Sequence, residues 1–385
     1  MDGVNWFENT ELSLESFMSD YWRKQPVEFR QGLKSTLNSL DIPLIYKDII
    51  DLCVQDRVES RIISKREDVY NLSLGPFEKH EMTTALTQAD SMLMVQGIDQ
   101  HIPSMADLLV HQFNFIPRWR VEDIMVTVGG AGASCGPHFD HYDVFLFQIC
   151  GTKQWHWDSC THQDDELSLD ADVRLLPSFI AEQSARMEPG DLLYIPPGAG
   201  HWGIAGEDSI TLSIGIRNPT MSELVSSYTD DLLDNISGSE TLDDQMTPDY
   251  SSISHRLISN LQTQYIDFVS NPDKMTRWFG RYMTELKEPE LLNPISSAEA
   301  EAQMQAHRLA NTDFVLTLPS RITHSTQNGA NICFLNGEVL EFGNSTLALV
   351  EYLGLHRAAP TTMVFNYPEN ILFMTHLIEG GAIKI

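Results

Sequence analysis

Over the first third of the chain, apolar residues recur at helical spacing. LESFMSDYWRKQPVEFRQGL carries them at three- and four-residue intervals up to Pro26, and IYKDIIDLCVQD repeats them on one face. Residues 1–125 are therefore expected to be mixed and mainly helical. From about Asp123 the texture changes. DIMVTVGGAGASCG is a β-branched run ending in a small-residue loop, and YDVFLFQICGTKQWHW reads as two strands joined at Gly151 and Thr152. ARMEPGDLLYIPPGAGHWGIAG follows as turn, strand, Pro-Gly turn and strand, and DSITLSIGIRNP closes the region with one strand more. Many short strands punctuated by glycine and proline predict a β-sandwich or barrel.

After Pro219 the strand pattern stops. TMSELVSSYTDDLLDNI, YSSISHRLISNLQTQYIDFV and PDKMTRWFGRYMTELK predict three amphipathic helices, the last with Pro272 in its first turn; SGSETLDDQMTP is a polar loop among them. Their apolar faces need a covering surface, from neighbouring domains or from a second subunit. KEPELLNPISS reads as a linker. The final segment reads as a helix over about 296–310, a strand over 313–318, turns at Asn328-Gly329 and Asn336-Gly337, then two helices. That order suggests a small α+β module of winged-helix type. With Lys+Arg 4 against Asp+Glu 7 over residues 301–385 it is net acidic, so it is expected to make structural or protein contacts and not to read DNA. Internal repeats and low-complexity tracts are not apparent.

Composition narrows the classes. At 385 residues and 42% hydrophobic, the chain has material for two or three domains. No apolar run reaches the roughly 18 residues of a membrane span, and the acidic start MDGVNWFENTELSLESF does not read as a signal peptide. Five scattered cysteines without C-x-x-C spacing argue against a disulfide framework or zinc cage and fit a cytoplasmic location. Lys+Arg 25 against Asp+Glu 54 gives a net charge of −29, which repels nucleic-acid phosphates and draws in a basic partner; the plainer reading is an acidic surface that confers solubility.

The chemistry gathers in GPHFDHYDVFLFQ, where His-x-Asp occurs twice. Residues i and i+2 of a strand share a face, so His138 and Asp140 project together, and His141 with Asp143 project oppositely. Gly136 and Pro137 place the first pair at a strand mouth, and the apolar run that follows draws the second into the wall. In YIPPGAGHW a second histidine, His201, follows a strand and a tight turn, and a barrel of short strands would bring it beside the first pair. Two histidines and one carboxylate with open positions is the arrangement of non-haem Fe(II) oxygenases, the plainer reading being ordinary polar residues at turns. Such an oxygenase needs a source of two electrons, and 2-oxoglutarate supplies them. Lys153, expected on the strand adjoining His138, is the candidate cation for its far carboxylate, and Thr127 the candidate hydroxyl donor; an exposed hairpin lysine is the plainer reading of the first.

At these residues the chain resembles the JmjC/cupin-type Fe(II)- and 2-oxoglutarate-dependent oxygenases, and more closely the bacterial ribosomal oxygenases that hydroxylate an arginine of a large-subunit ribosomal protein. The resemblance runs nearly end to end, through YWRKQPVEFRQG, VESRIISK, LGPFE, PRWRVEDIMVT, GPHFDHYDVFLFQ, EPGDLLYIPPGAGH and SIGIRNPT. It implies an α+β chain: a double-stranded β-helix (jelly-roll) catalytic domain with N-terminal helices at 1–219, a helical dimerisation segment at 220–290 and a winged-helix-like domain at 291–385. By the same resemblance His138, Asp140 and His201 hold Fe(II), and Lys153 with Thr127 binds 2-oxoglutarate. Members of that family can carry arginine where Lys153 stands, which keeps the charge and changes its reach. The implied activity is hydroxylation of a basic ribosomal protein by a cytoplasmic homodimer, without direct contact to nucleic acid or membrane. Asp123, Tyr142 and Asp143 are candidates to line the pocket for the arginine, or else are ordinary strand-end residues. Other readings are a JmjC hydroxylase or demethylase of another basic protein, a small-molecule metal-cupin dioxygenase, and a non-catalytic acidic protein that binds basic partners.

Overall fold

In a computed structural model, residues 10, 12–66, 69–87, 90–168, 173–235 and 253–384 are described. The chain divides into two compact units, Met1–Asn218 and Pro219–Ile385. Among the described residues no helix is long and apolar enough to cross a membrane.

The described residues of the first unit form eleven strands: β1 (Val27–Phe29), β2 (Ser60–Arg66), β3 (Val69–Leu74), β4 (Ser91–Val95), β5 (Val121–Gly129), β6 (Asp143–Cys150), β7 (Lys153–Trp157), β8 (Gln183–Met187), β9 (Leu192–Ile195), β10 (His201–Ala205) and β11 (Ser209–Ile216). They form an 8-stranded sheet in the order β1-β9-β6-β11-β5-β4-β2-β3 and a 3-stranded sheet in the order β10-β7-β8. Gly151, at a φ of 58° that suits glycine, carries the chain from β6 in the large sheet to β7 in the small one, so the two strands are consecutive without pairing.

Alternation fixes the two faces of the large sheet. Val144 and Leu146 of β6, with Leu193 and Ile195 of β9, pack against Trp155, Trp157, Ala185 and Met187 of the small sheet. The intervening Phe145, Phe147, Leu192 and Tyr194 face the other way, onto Phe17, Ile45, Ile49, Leu108, Leu109 and Phe113 of the N-terminal helical layer. Burial on both faces explains why β6 reads as an unbroken apolar run and not as an alternating one. The N-terminal region is less helical than its periodicity predicts: β1 to β4 lie within it, and β2, β3 and β4 extend the large sheet. Outer β2 (SRIISKR) is only half-buried, so its apolar content is too low to stand out in the sequence.

In the second unit, helices span Met221–Asp234, His255–Val269 and Pro272–Thr284, close to the three predicted stretches. Thr220 and Glu223 form a capping box at the first, and Pro272 occupies the first turn of the third. The predicted polar loop SGSETLDDQMTP lies outside the described residues. Beyond them, helix Ser297–Ala310 precedes a three-stranded meander of Ile322–Gln327, Ala330–Leu335 and Glu338–Phe342. Both Asn-Gly turns connect these strands, with φ between 51° and 87° at all four residues. The predicted strand over 313–318 shrinks to Phe314–Val315, and helices Asn344–His356 and Pro368–Glu379 complete the unit.

Candidate metal centre

His138, Asp140 and His201 come together, each offering one ligand atom, with these atoms all within 4.8 Å of one another. His201 opens β10. His138 pairs with it through a single antiparallel bridge, His138 N donating to His201 O at 3.0 Å and His201 N to His138 O at 2.8 Å. The backbone is not a regular strand around His138, and β6 begins only at Asp143. Even so, the faces fall as alternation predicts. His138, Asp140, Tyr142, Val144 and Leu146 all line one void.

Each imidazole is oriented by a backbone carbonyl. His138 Nδ1 lies 2.9 Å from Gly136 O and His201 Nδ1 lies 3.1 Å from Ala199 O, which puts the proton on Nδ1 and turns Nε2 toward Asp140. His201 Nε2 is 3.6 Å from Asp140 Oδ2. Burial, and after it the neighbouring His138, lowers His201 to about 4, so its ring is neutral at physiological pH, as a ligand must be.

Other contacts brace the backbone on either side of these carbonyls. Ser134 Oγ accepts from Gly136 N at 3.0 Å and Trp202 Nε1 at 2.8 Å, and donates to Gly203 O at 2.7 Å. Asp158 accepts from Gly200 N at 3.0 Å, and Gly198 N donates to Asp140 O at 2.8 Å. His162 bridges Asp158 at 2.8 Å and Glu166 at 2.9 Å. Burial alone would lower His162, but hydrogen bonds to the two carboxylates outweigh it and raise its pKa. No motif in the sequence marks Ser134 or Asp158, because their contacts to Gly203 and Gly200 lie 69 and 42 residues along the chain, and His162 enters only through Asp158.

The void encloses about 500 Å³, open solvent at its mouth included. At one end Lys153, only 2% exposed, donates from Nζ to Thr127 Oγ1 at 3.2 Å and lies 4.7 Å from the Trp155 ring centroid. Among the described residues no carboxylate stands within ion-pair distance of it, and burial lowers its pKa to about 8. Lys153 does not adjoin His138 as expected: β7 pairs with β10, the strand of His201, with Lys153 opposite Ala205.

At the other end are Asp123, Gln96, Tyr142 and Gly215. Gln96 Nε2 donates to Asp123 Oδ2 at 2.8 Å. Tyr142 is 38% exposed, and the Asp140 carboxylate, then burial and Asp123, hold its phenol well above the usual range. Asp143 is the sequence candidate that the structure places elsewhere. It lies on the helix-facing side of β6, fully buried, accepts from Tyr194 Oη at 2.5 Å and is 4.0 Å from Arg23. One residue from Tyr142, it points away from the void because neighbours on a strand face opposite sides. His141 also stays outside, exposed and 3.0 Å from Asp164.

Comparison with known proteins agrees with this geometry. A family model for the JmjC domain matches residues 108–224. The chain is 28% identical over 285 residues to the ribosomal protein uL16 3-hydroxylase of Escherichia coli K12, covering 71% of this chain and 72% of that protein. It is 32% identical over 229 residues to a probable ribosomal oxygenase of Haemophilus influenzae, covering 58% of this chain and 54% of that protein. The E. coli ribosomal oxygenase YcfD, solved with cobalt and 2-oxoglutarate, superposes with a TM-score of 0.79 at 23% identity over 97% of this chain and 98% of that one, which shows the shared fold. Residues 108–224 thus match the JmjC domain, and the chain is similar in sequence to bacterial ribosomal oxygenases.

Proposed function

We propose that this chain is an Fe(II)- and 2-oxoglutarate-dependent oxygenase that hydroxylates an arginine side chain of a large-subunit ribosomal protein, with uL16 the first substrate to try because a similar protein is named for it. The observation that supports this most is the sharing of one void by a two-histidine, one-carboxylate triad and a buried lysine without an acidic partner among the described residues. A buried ammonium is costly unless an anion neutralises it. A dicarboxylate whose far end reaches Lys153 and Thr127 answers that cost, while the triad leaves coordination positions open for its other end. With iron and 2-oxoglutarate in place, the site supplies oxidative decarboxylation to succinate coupled to insertion of one oxygen atom into a C–H bond.

The protein's own residues bind and orient. His138, Asp140 and His201 would hold the metal, and Lys153 with Thr127 would fix the co-substrate. Asp123, aimed by Gln96, and Tyr142 stand at the opposite end as acceptor and ring for a guanidinium. A surface at −29 favours approach of a basic ribosomal protein in the cytoplasm over approach of RNA.

In the second unit, residues 220–290 would form a dimerisation segment and 291–385 a winged-helix-like domain. Exposed Val225, Leu233 and Tyr265 beside an apolar groove lined by Tyr228, Leu232 and Phe268 support a homodimer.

Incubation with Fe(II), 2-oxoglutarate and uL16 should give succinate and a uL16 arginine carrying one more oxygen atom. Succinate without modification of any ribosomal protein would redirect the search to another basic protein or a small molecule. Neither metal binding nor succinate would leave an acidic binding protein.

A further inference from the structure

Opposite the metal triad, the void has a wall of sulfur. Met94, Met125 and Cys135 line it together with His138, Asp140 and His201. Cys135 Sγ lies 3.3 Å from Met92 Sδ and 3.6 Å from Met94 Sδ, so four sulfur-bearing side chains pack in one cluster with Ile63, Tyr70 and Ala133. Strand register places them. On the inner face of β5, Met125 falls midway between Asp123 and Thr127, roughly 7 Å along the strand from each. Met94 is the register partner of Thr127, and Ser213 that of Met125. The sulfurs thus span the gap between the end assigned to 2-oxoglutarate and the end assigned to the protein substrate, where an oxygen atom would be handed over.

A thioether is an easier acceptor than the carbon of an arginine side chain, because its lone pair takes an oxygen atom with no C–H bond to break. Met125 is the most central of these sulfurs and is half-buried, whereas Met92 stands behind Cys135. Burial raises the pKa of the Cys135 thiol and keeps it from the reactive thiolate form. Arg61 Nη2, 3.6 Å from Met125 Sδ, is a ready donor for an oxygen placed on that sulfur.

We propose that, when no protein substrate is seated, this site oxidises its own wall, converting Met125 first and Met94 next to methionine sulfoxide. The inference rests on the oxygenase reading above. The step balances as 2-oxoglutarate, dioxygen and a thioether giving succinate, carbon dioxide and a sulfoxide. Dioxygen is reduced by four electrons, two from the oxidised keto acid and two from the sulfur; one oxygen atom enters the new carboxylate and the other forms the S=O bond. A sulfoxide is polar and chiral where an apolar chain stood, so each such event distorts the void and the protein loses turnover as it works unproductively. A seated substrate takes the oxygen atom instead and protects the wall.

The test is peptide mapping of the full-length protein after incubation in air with Fe(II), 2-oxoglutarate and catalase but no protein substrate, with succinate measured in the same tubes. One added oxygen atom on Met125, then on Met94, is expected, and it should vanish without 2-oxoglutarate or in His138→Ala. Met221, 71% exposed and remote in sequence, serves as the internal control for diffusible oxidants. A Met94→Leu/Met125→Leu double variant, near-conserved in volume, should lose the modification and hold its own starting rate for about twofold longer or more. Succinate accumulating while Met94 and Met125 stay unmodified, or Met221 oxidised ahead of them, would overturn the inference. Succinate formed only when uL16 is added would also overturn the inference, whereas its absence both with and without uL16 would overturn the oxygenase reading itself.

Discussion

Lys153 shows how one residue's environment turns into a measurable pH dependence. Its pKa falls from the ordinary 10.5 to about 8 through burial, and only the ammonium form pairs with a carboxylate. Because the unfolded chain binds the proton up to about 10.5, burial of the lysine opposes folding in full below about pH 8, and that penalty is relieved as pH rises from about 8 to 10.5. Ligand binding runs the other way. The dissociation constant for 2-oxoglutarate should rise about fivefold as pH passes from near 8 to one unit above, as the charged fraction of Lys153 falls from about a half to about a tenth. Calorimetric titration with a redox-inert divalent metal in place of iron would read this, and a flat profile would remove Lys153 from the co-substrate site. The doubled His-x-Asp gives a second residue-scale test. His138→Ala should lower metal-dependent succinate formation at least about a hundredfold, whereas exposed His141→Ala should leave it within about twofold, since surface changes away from special features cost little. Equal losses would show that the two faces had been exchanged.

At the scale of elements, the helix Pro272–Thr284 lies close enough to the C-terminal meander that one added methyl group should be felt. A Cβ at Gly280 would sit 2.3 to 2.4 Å from ring atoms of Phe334, a contact that forces the ring or the helix to move. Gly280→Ala gains helix propensity but overpacks this interface, and overpacking of this kind costs about 1–3 kcal/mol. The thermal transition of the second unit should therefore fall by several degrees in a scan, while metal binding in the first unit persists. An unchanged transition would mean that the helix and sheet separate more easily than this packing implies. The same logic explains the crossover at Gly151, where an added Cβ would meet the carbonyls of Glu207 and Asp208 at 2.3 and 2.5 Å. That crossover puts Lys153 and Trp155 on the sheet facing β5, so a single turn decides which strands share the void.

For the whole molecule the governing quantity is charge. With −29 distributed over 385 residues, association with a basic ribosomal protein should be steered electrostatically. Its association rate is expected to fall about tenfold or more between low and roughly 0.5 M salt, with a smaller change in the dissociation rate. Stopped-flow measurement across a salt series would check this, and a rate indifferent to salt would return the acidic surface to a matter of solubility alone.

What could be read from the sequence was what depends on neighbours along the chain. The Asn-Gly turns, the three helices after Pro219, the apolar run of β6 and the pairing of His138 with Asp140 all follow from local spacing, because turn chemistry, helical period and strand alternation act over a few residues. His201 could be proposed from its turn, but only the antiparallel bridge to His138 brings it to the metal site. Alternation likewise sets Asp143 opposite His138 and Asp140, in the wall, and only the structure shows that this side of the wall carries Tyr194 and Arg23. Ser134 and Asp158 gain their roles from Gly203 and Gly200, 69 and 42 residues away, and the sulfur wall exists only because β4, β5 and the loop carrying Cys135 come together. Local spacing along the chain picks out which side chains could do chemistry. Which of them look into the same space was decided by the tertiary structure, because strand pairing and sheet packing join residues that no short-range rule connects.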